Sequence, residues 1–311
     1  MGRVHELIEL KGRAGAILAL QDDCDRRIVD TAASYMADEE NGVGFIFSGW
    51  AQAALPHRRL KSDDSVWQLE TERVRLMVEP GRRPIPGGDP VWVGVPYGSR
   101  ARLIMLYLQT EALRTGRREI ELGRSLHAWL GRLSIPIGGK SFRDVREQAE
   151  RISRCRMTFQ ISQGGRTGLV NQHILDTAMF VEDGQDGQGS LFIETARLSE
   201  MFFEQLQKHP VPLEEAAIRA INNNSQALDI YCWLAYRLHV LPGPREISWK
   251  ALHAQFGAGF ARLDHFRTKF IENLKLATAV YRDAAIEISK SGLILKPSRS
   301  PIAPRQVAIS R

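Results

Sequence analysis

The segment 262–280, near the end of the chain, carries hydrogen-bond donors and positive charges on one side and apolar side chains on the other. At about 100° per residue the apolar set forms the stripe that a helix buries, and its members are Leu263, Phe266, Phe270, Leu274 and Ala277. The outer and flanking residues, which we predict to contact a ligand, are Arg262, His265, Arg267, Thr268, Lys269, Asn273 and Lys275. Such donors suit the acceptors on the base edges and phosphates of double-stranded DNA, whose major groove admits a helix. The segment therefore predicts a DNA-contacting helix.

A second segment, 142–154, has helical spacing but a charge-balanced outer face, made of Arg143, Asp144, Glu147, Glu150, Arg151 and Arg154. It is the weaker candidate for contacting bases. Phosphate contacts are predicted near its start, where backbone amides favour anions; the residues are Lys140, Ser141, Arg143 and Arg146. Lys290, at a predicted hairpin tip, adds another charge that reaches phosphate. The alternative for either helix is a solvated face of alternating charge that binds nothing.

The elements around the two segments repeat. Arg118-Glu119-Ile120 recurs 127 residues later as Arg245-Glu246-Ile247, and Gly116 recurs as Gly243 at the same offset. Each copy follows an apolar helical segment, 101–113 or 228–240, and precedes a short helical pattern that ends near an aromatic residue, Trp129 or Phe256. Two copies are too few for a solenoid, so the repeat predicts duplicated domains.

Each copy has the order helix, short strand, helix, turn, helix, hairpin. In the second copy Ser248 is a good N-cap for a helix over 249–256, glycines at 257 and 259 make the turn, and alternation over 285–295 predicts the hairpin. In the first copy the long helix is 142–154 and the hairpin is expected over 157–174. This order is that of a winged helix. The predicted fold class is α+β, with two tandem winged-helix domains and an N-terminal extension.

Proline and charge mark the boundaries. Residues 80–96 hold five prolines and four glycines, which is typical of a connecting loop, and the prolines at 210 and 212 stop any helix. We therefore predict an extension over 1–87, a first domain over 88–208 and a second over 209–311. The formal net charge of +6 is concentrated in the last third, as expected where one domain faces a polyanion. That third ends in a proline-broken basic tail with Lys296, Arg299, Arg305 and Arg311.

Several classes of protein are excluded. The cysteines at 24, 155 and 232 form no CxxC pair, so neither zinc nor a disulfide framework is predicted. There is no membrane-spanning run of ~18 apolar residues and no signal-peptide pattern, which predicts a cytoplasmic protein. Gly139-Lys140-Ser141 lacks the upstream glycine and strand of a phosphate-binding loop. With no HExxH, nucleophile elbow or paired-carboxylate site, the chain is predicted to be no enzyme, with no catalytic residue, metal or cofactor.

Long strings in both halves resemble RepA-type bacterial plasmid replication initiators. In the second half these are Ser225-Gln226-Ala227-Leu228-Asp229-Ile230-Tyr231-Cys232-Trp233-Leu234-Ala235-Tyr236-Arg237-Leu238 and Ile247-Ser248-Trp249-Lys250-Ala251-Leu252-His253-Ala254-Gln255-Phe256-Gly257. In the first half they are Ala54-Leu55-Pro56-His57-Arg58-Arg59, Val95-Pro96-Tyr97-Gly98-Ser99-Arg100-Ala101-Arg102-Leu103 and Gln109-Thr110-Glu111-Ala112. The resemblance covers about residues 43–297.

The resemblance implies a protein that binds repeated sites in a plasmid origin and helps open the duplex for a host replication initiator and a replicative helicase. It also implies that the C-terminal winged helix is the principal DNA reader, which here falls on 262–275. The first winged helix would contact DNA lightly and mediate dimerisation, since members of the family bind as monomers to initiate and as dimers to repress. These implications rest on the resemblance alone.

Two other functions stay open at this point. A winged-helix transcriptional repressor would use the same DNA contacts, so only the neighbouring DNA separates it from an initiator. An origin-nicking enzyme needs a nucleophilic tyrosine beside a metal-binding histidine cluster. Among the tyrosines, Tyr236 has the nearest histidine, His239, but lies within an apolar helical segment. The nicking hypothesis is therefore the weaker of the two.

Overall fold

A computed structural model describes residues 2–20, 25–40, 42–71, 74–122, 128, 130–131, 135, 138–163, 166–183 and 190–302. Helices and small antiparallel sheets alternate along the chain, which confirms an α+β fold. No helix within the described ranges is both long and apolar enough to cross a membrane. Trp129, Arg305 and Arg311 lie outside the described residues, as do the glycines at 164 and 165 in the predicted hairpin.

The N-terminal part forms α1 Gly2–Leu20, α2 Arg26–Met36, β1 Val43–Phe47, β2 Trp67–Glu70 and β3 Val74–Glu79. It does not stand apart from the rest of the chain. The His5 ring donates from Nε2 to the carbonyl oxygen of Ala279 over 2.8 Å, and Arg282 pairs with Glu9 at 2.6 Å. The first helix of the chain thus packs against the end of the last long helix.

The central part contains β4 Gly81–Ile85, β5 Gly88–Gly94, α3 Gly98–Thr115, β6 Glu119–Glu121, α4 Gly139–Arg154, β7 Arg156–Gln163, β8 Arg166–His173, β9 Leu175–Asp183, β10 Ser190–Leu198 and α5 Glu200–Lys208. Gly116 ends α3 with a φ of 67°, a left-handed conformation that favours glycine. The proline-rich segment 80–96, expected to be a connecting loop, instead folds as the hairpin β4–β5. Gly87, with a φ of 69°, supplies its turn.

The hairpin expected over 157–174 exists as β7–β8, but its neighbours differ from the prediction. β7 pairs with β3, giving a sheet in the order β2-β3-β7-β8. The short strand β6 pairs instead with β10, in a sheet ordered β6-β10-β9. The strand hairpin that accompanies β6 is therefore β9–β10, which lies further along the chain. Sequence spacing located both strands of β7–β8 but could not assign their partners, because pairing is a long-range choice.

The last part contains β11 Pro210–Glu214, α6 Glu215–Ile221, α7 Ser225–Arg237, a 3-10 turn Leu238–Val240, β12 Arg245–Ser248, α8 Trp249–Phe256, α9 Leu263–Ala279, β13 Ile286–Ile288 and β14 Gly292–Leu295. The strand β11 pairs with β1 from the N-terminal part, with Val43 opposite Glu214. The last sheet has the order β12-β14-β13. Helices α8 and α9 agree with the predicted spans to within one residue.

An aromatic cluster beneath α9 forms the core of the last part. Phe270 is fully buried, with its ring 5.3 Å from that of Phe266 and 5.4 Å from that of Phe256. Leu274 and Ala277 are buried too, so four of the five residues predicted for the apolar stripe lie in the core. Leu263 is not part of the core. It is 47% exposed, because it is the first residue of α9 and precedes the part of the helix that packs on the core.

Candidate DNA interface

Helices α8 and α9 are joined by a turn that local hydrogen bonds hold. The Ser248 hydroxyl accepts from the backbone N–H of Ala251, which caps α8 as its residue type predicted. The His253 ring donates from Nε2 to the carbonyl oxygen of Phe260 across the turn, over 3.0 Å. Arg262 is the N-cap of α9. The start of α9 is therefore set at a defined angle to α8.

The outer face of α9 is exposed at the residues nearest its start. Arg262, His265, Thr268 and Lys269 are exposed, and Lys275 is half-buried further along. Arg262 is bound to Asp264 at 2.6 Å, and Lys269 to Glu272 at 2.9 Å. The hydrogen bond from Arg262 lowers the pKa of Asp264 to about 2. Ion pairs this exposed stabilise a protein little, so a phosphate or a base can replace the carboxylates.

Two of the predicted contact residues are held by the protein itself. The Arg267 guanidinium lies over the Trp249 ring, 5.0 Å from its centroid. The Asn273 amide donates to Gln226 Oε1 over 2.7 Å and accepts from Asn224 over 2.6 Å. Both residues lie on the flanks of α9, as its helical projection predicted. Their contacts fix α9 against α8 and α7.

Lys290 lies at the turn between β13 and β14 and is exposed. The turn is braced by a 3.0 Å hydrogen bond between the hydroxyls of Ser289 and Ser291. The Ser291 hydroxyl also donates to the Glu246 carboxylate on β12. In the following tail, Lys296 is paired with Glu287, whereas Arg299 is exposed. Lys290 therefore lies on a turn that hydrogen bonds hold in place.

The equivalent helix α4 has a different environment. Its start presents Arg143 to solvent, while Ser141 and Arg146 are half-buried. The side chain of Lys140 lies outside the described residues. The structure thus leaves part of the predicted phosphate-contacting set accessible at the N-terminal end of α4.

The outer face expected for the C-terminal half of α4 is covered. The hairpin β4–β5 packs there, with Arg83 paired to Glu150 at 3.2 Å and Arg154 donating to the carbonyl oxygen of Arg82. Arg151 was expected on the outer face but is only 4% exposed, since it pairs with Glu147 at 2.8 Å and Asp63 at 3.2 Å. These charges hold the fold rather than face solvent. The glycine pair at 87–88 is typical of a hairpin turn and could have predicted β4–β5, but not its packing on α4.

In the described part of the chain, no group of three or more His, Cys, Asp or Glu side chains is placed to hold a metal ion. The tyrosine considered for nicking, Tyr236, is half-buried within α7. Its nearest histidine in sequence, His239, hydrogen bonds through Nδ1 to the carbonyl oxygen of Ala235. The exposed cations of α9 can form hydrogen bonds and ion pairs with a ligand.

Known proteins resemble this chain in two ways. Its fold is similar to that of domains 2 and 3 of RctB, with a TM-score of 0.50 and 11% identity over 83% of this chain and 100% of that one. A second structure of RctB domains 2–3 aligns with a TM-score of 0.43 and 12% identity, over 79% of this chain and 95% of that one. No curated protein matches the chain significantly. The family described as "Plasmid encoded RepA protein" matches residues 95–251, half of the chain. The chain therefore belongs to the family of plasmid-encoded RepA replication proteins.

Proposed function

We propose that this protein is a plasmid replication initiator that binds repeated sites of an origin as double-stranded DNA and helps to open it. The observation that carries the proposal is the exposed N-terminal half of α9 in a RepA family member. That surface combines a guanidinium, an ammonium, an imidazole and a hydroxyl on one rigid helix. Arg and Lys suit the guanine acceptors of the major groove. No step of this action requires bond chemistry, so we propose a non-enzymatic role.

The last part of the chain supports a winged-helix assignment. The order α7, β12, α8, α9, β13, β14 is that of a helix-turn-helix followed by a hairpin, and β12 closes the three-stranded sheet. In this assignment α9 is the recognition helix and β13–β14 is the wing. Arg262, His265, Thr268 and Lys269 would contact bases, with Lys275 at the edge of the helix. Arg267 and Asn273 would hold the helix, and Lys290 would contact phosphate.

A second winged helix is proposed for the central part. In the sheet β6-β10-β9 a short strand lies beside the second strand of a hairpin. The sheet β12-β14-β13 has the same arrangement. Ile120 pairs with Ala196, and the repeat-related Ile247 pairs with Leu293. In this duplication β9–β10 is the first wing, and β7–β8 is an insertion that joins β3. Lys140, Ser141, Arg143 and Arg146 would contact phosphate from the start of α4.

These assignments give the two domains different roles in the proposal. We propose that 209–311 is the principal DNA reader and that 88–208 makes auxiliary contacts and mediates a homodimer. The extension 1–87 packs against both. A cytoplasmic location, and the recruitment of a host replication initiator and replicative helicase, belong to the same proposal. A transcriptional repressor is the remaining alternative and would bind through the same helix.

The test is binding and footprinting of the full chain on its cognate origin and on random DNA of the same length. Repeated protection spaced by whole helical turns supports an initiator, whereas protection of one lone palindrome supports a repressor. The affinity should fall with salt by about 0.9 log units per log unit of salt for each phosphate neutralised. Lys208→Ala is the charge-matched control for the variant Lys269→Ala on α9, since Lys208 is an exposed lysine on α5, outside the proposed interface. Absence of preference for origin DNA contradicts the proposal, and metal-dependent nicking contradicts the non-enzymatic role.

A further inference from the structure

Helices α3 and α7 meet through a buried ion pair. Arg102 and Asp229 are 127 residues apart, the offset of the internal repeat, and each is the fifth residue of its helix. Arg102 donates from Nε to Asp229 Oδ1 over 2.7 Å and from Nη2 to Oδ2 over 2.7 Å. The side chains are 10% and 11% exposed. Repeat-related positions of the two copies thus contact each other directly, in the bidentate geometry that fixes both partners.

The other donors of Arg102 are used as well. They bind the carbonyl oxygens of Leu55 at 2.6 Å, Pro56 at 3.1 Å and Gly98 at 2.8 Å. A guanidinium presents its donors in a rigid planar fork. Since this one fork holds the loop 55–57, α3 and α7 together, none of the three can rotate without breaking hydrogen bonds.

The loop also contacts both helix starts through His57. Its Nδ1 lies 3.0 Å from the Ser225 hydroxyl and 3.3 Å from Arg102 Nη2. Burial of the ring and the nearby Arg102 together lower the pKa of His57 to about 4. The ring is therefore neutral at pH 7, and Nδ1 can accept a hydrogen bond. It adds no positive charge that would compete with Arg102 for Asp229.

Apolar packing beside the pair is incomplete. A cavity of about 50 Å³ lies against Arg102 and Asp229, between apolar side chains of α3, such as Leu103 and Leu106, and of α7, such as Leu228. A filled interface would fix the helix angle by interdigitation alone. Here the apolar surfaces leave a small cavity, so the bidentate contact adds a directional constraint that the packing lacks at this point.

We infer that Arg102 and Asp229 are positioning residues that set the orientation of the two repeat copies and thereby the spacing of α4 and α9 on DNA. The part about DNA rests on the proposed function, whereas the part about orientation does not. A buried ion pair is often no more stabilising than an apolar pair of similar volume. The role assigned to this one is therefore geometric.

The test uses the full chain and replaces the whole pair, Arg102→Met with Asp229→Leu, so that no buried charge is left unpaired. Spin labels at Gln207→Cys on α5 and Ala254→Cys on α8, both exposed positions, report the distance between the copies. The background is Cys24→Ser and Cys232→Ala, and Cys155 is buried. We expect a single narrow distance distribution in the parent and one about twofold broader in the double variant.

The matched control is Arg219→Met with Asp38→Leu, a pair at 2.8 Å with 16% and 9% exposure that does not join α3 to α7. It should leave the distribution narrow. If the double variant does not fold, Arg102→Lys replaces it, because lysine keeps the charge but loses the fork. An unchanged distribution in a folded variant, or a broad one in the parent, overturns the inference.

The second readout is DNA spacing. Each base pair inserted between the segments protected by the two copies turns one contact by about 35°. The parent should lose about tenfold or more in affinity for origin DNA lengthened by two base pairs, and the double variant about threefold or less. Equal losses overturn the inference on spacing. If the distance distribution broadens as expected while neither the parent nor any variant prefers origin DNA, the proposed function fails. The inference that Arg102 and Asp229 set the orientation of the two copies then still holds.

Discussion

Helices α4 and α9 occupy corresponding places in the chain, yet their outer faces differ in what packs on them. On α9 the exposed cations Arg262 and Lys269 pair with acids of their own segment. On α4 a hairpin and a loop cover the C-terminal half, where Arg151 is buried in an ion-pair network. The comparison teaches that the order of elements does not determine which surface stays free. What packs on a helix decides whether its charges bind a ligand or hold the fold.

The largest effect is expected from the core beneath α9. Phe270→Ala removes a fully buried ring that contacts Trp249, Phe256 and Phe266. We expect a loss of about 3–5 kcal/mol in the free energy of unfolding, measured by denaturant titration. Leu263→Ala is the control on the same helix, and at 47% exposure it should change stability by only about 0.5 kcal/mol. Equal losses would mean that α9 does not pack as described.

Replacing Arg151 tests whether the charges of α4 stabilise the fold, unlike those of α9. Arg151→Met removes the ion pairs with Asp63 and Glu147 and the hydrogen bond to the carbonyl oxygen of Val95, and we expect a loss of about 1–3 kcal/mol in unfolding free energy. The control is Arg143→Met, which removes an exposed charge from the start of the same helix and should leave stability within about 0.5 kcal/mol. If Arg151→Met were as stable as the parent, the charges of α4 would not hold the fold.

A smaller effect per pH unit is expected from the titration of His57, which contacts the starts of α3 and α7. The pKa of His57 is about 4 in the folded chain, below its ordinary value of 6.5, because the ring is buried and Arg102 lies near it. The unfolded chain therefore binds more protons between pH 6.5 and 4, and stability falls as the pH is lowered through that window. The slope from this group is at most about 1.4 kcal/mol per pH unit.

The measurement is denaturant titration at several pH values in the parent and in His57→Gln. The variant should lose part of the slope between pH 6.5 and 4, since glutamine does not titrate. Parallel curves would show that the pKa of His57 is the same in the folded and the unfolded chain, contrary to its buried position against Arg102.

The smallest effect is expected at Lys290. Lys290 is an exposed charge on the turn between β13 and β14, so Lys290→Ala should weaken binding to all DNA sequences alike. It should lower the slope of log affinity against log salt by roughly one. Binding isotherms at several salt concentrations, on origin and random DNA, measure both quantities. A selective loss on origin DNA would place Lys290 among the residues that contact bases.

Local structure in the last part of the chain was predictable from the sequence. Ser248 and Gly257 are the first and last capping residues of α8, as the capping pattern predicted. The apolar stripe of α9 is buried from Phe266 onward. These features depend on contacts within a few residues. The exposure of four candidate DNA-contacting residues, Arg262, His265, Thr268 and Lys269, follows from the same periodicity, whereas Arg267, Asn273 and Lys275 are half-buried.

Long-range structure was not predictable in the same way. The partner of β6 is β10, which lies beyond the hairpin that local alternation had assigned to it. The burial of Arg151 depends on Asp63 and on the backbone near Val95, both distant in sequence. Strand pairing and the covering of one element by another depend on three-dimensional packing, and no spacing rule within a single sequence encodes them.

The central claim is that α9 reads base sequence and α4 does not. The most direct measurement compares affinities for origin and random DNA in Arg262→Ala and Lys269→Ala with those in Arg143→Ala. We expect each α9 variant to lose about fivefold or more of the preference for origin DNA, since a good base contact discriminates by about 1–3 kcal/mol. Arg143→Ala should weaken origin and random DNA by the same factor. Equal losses on both DNAs for the α9 variants, with a selective loss for Arg143→Ala, would contradict the account.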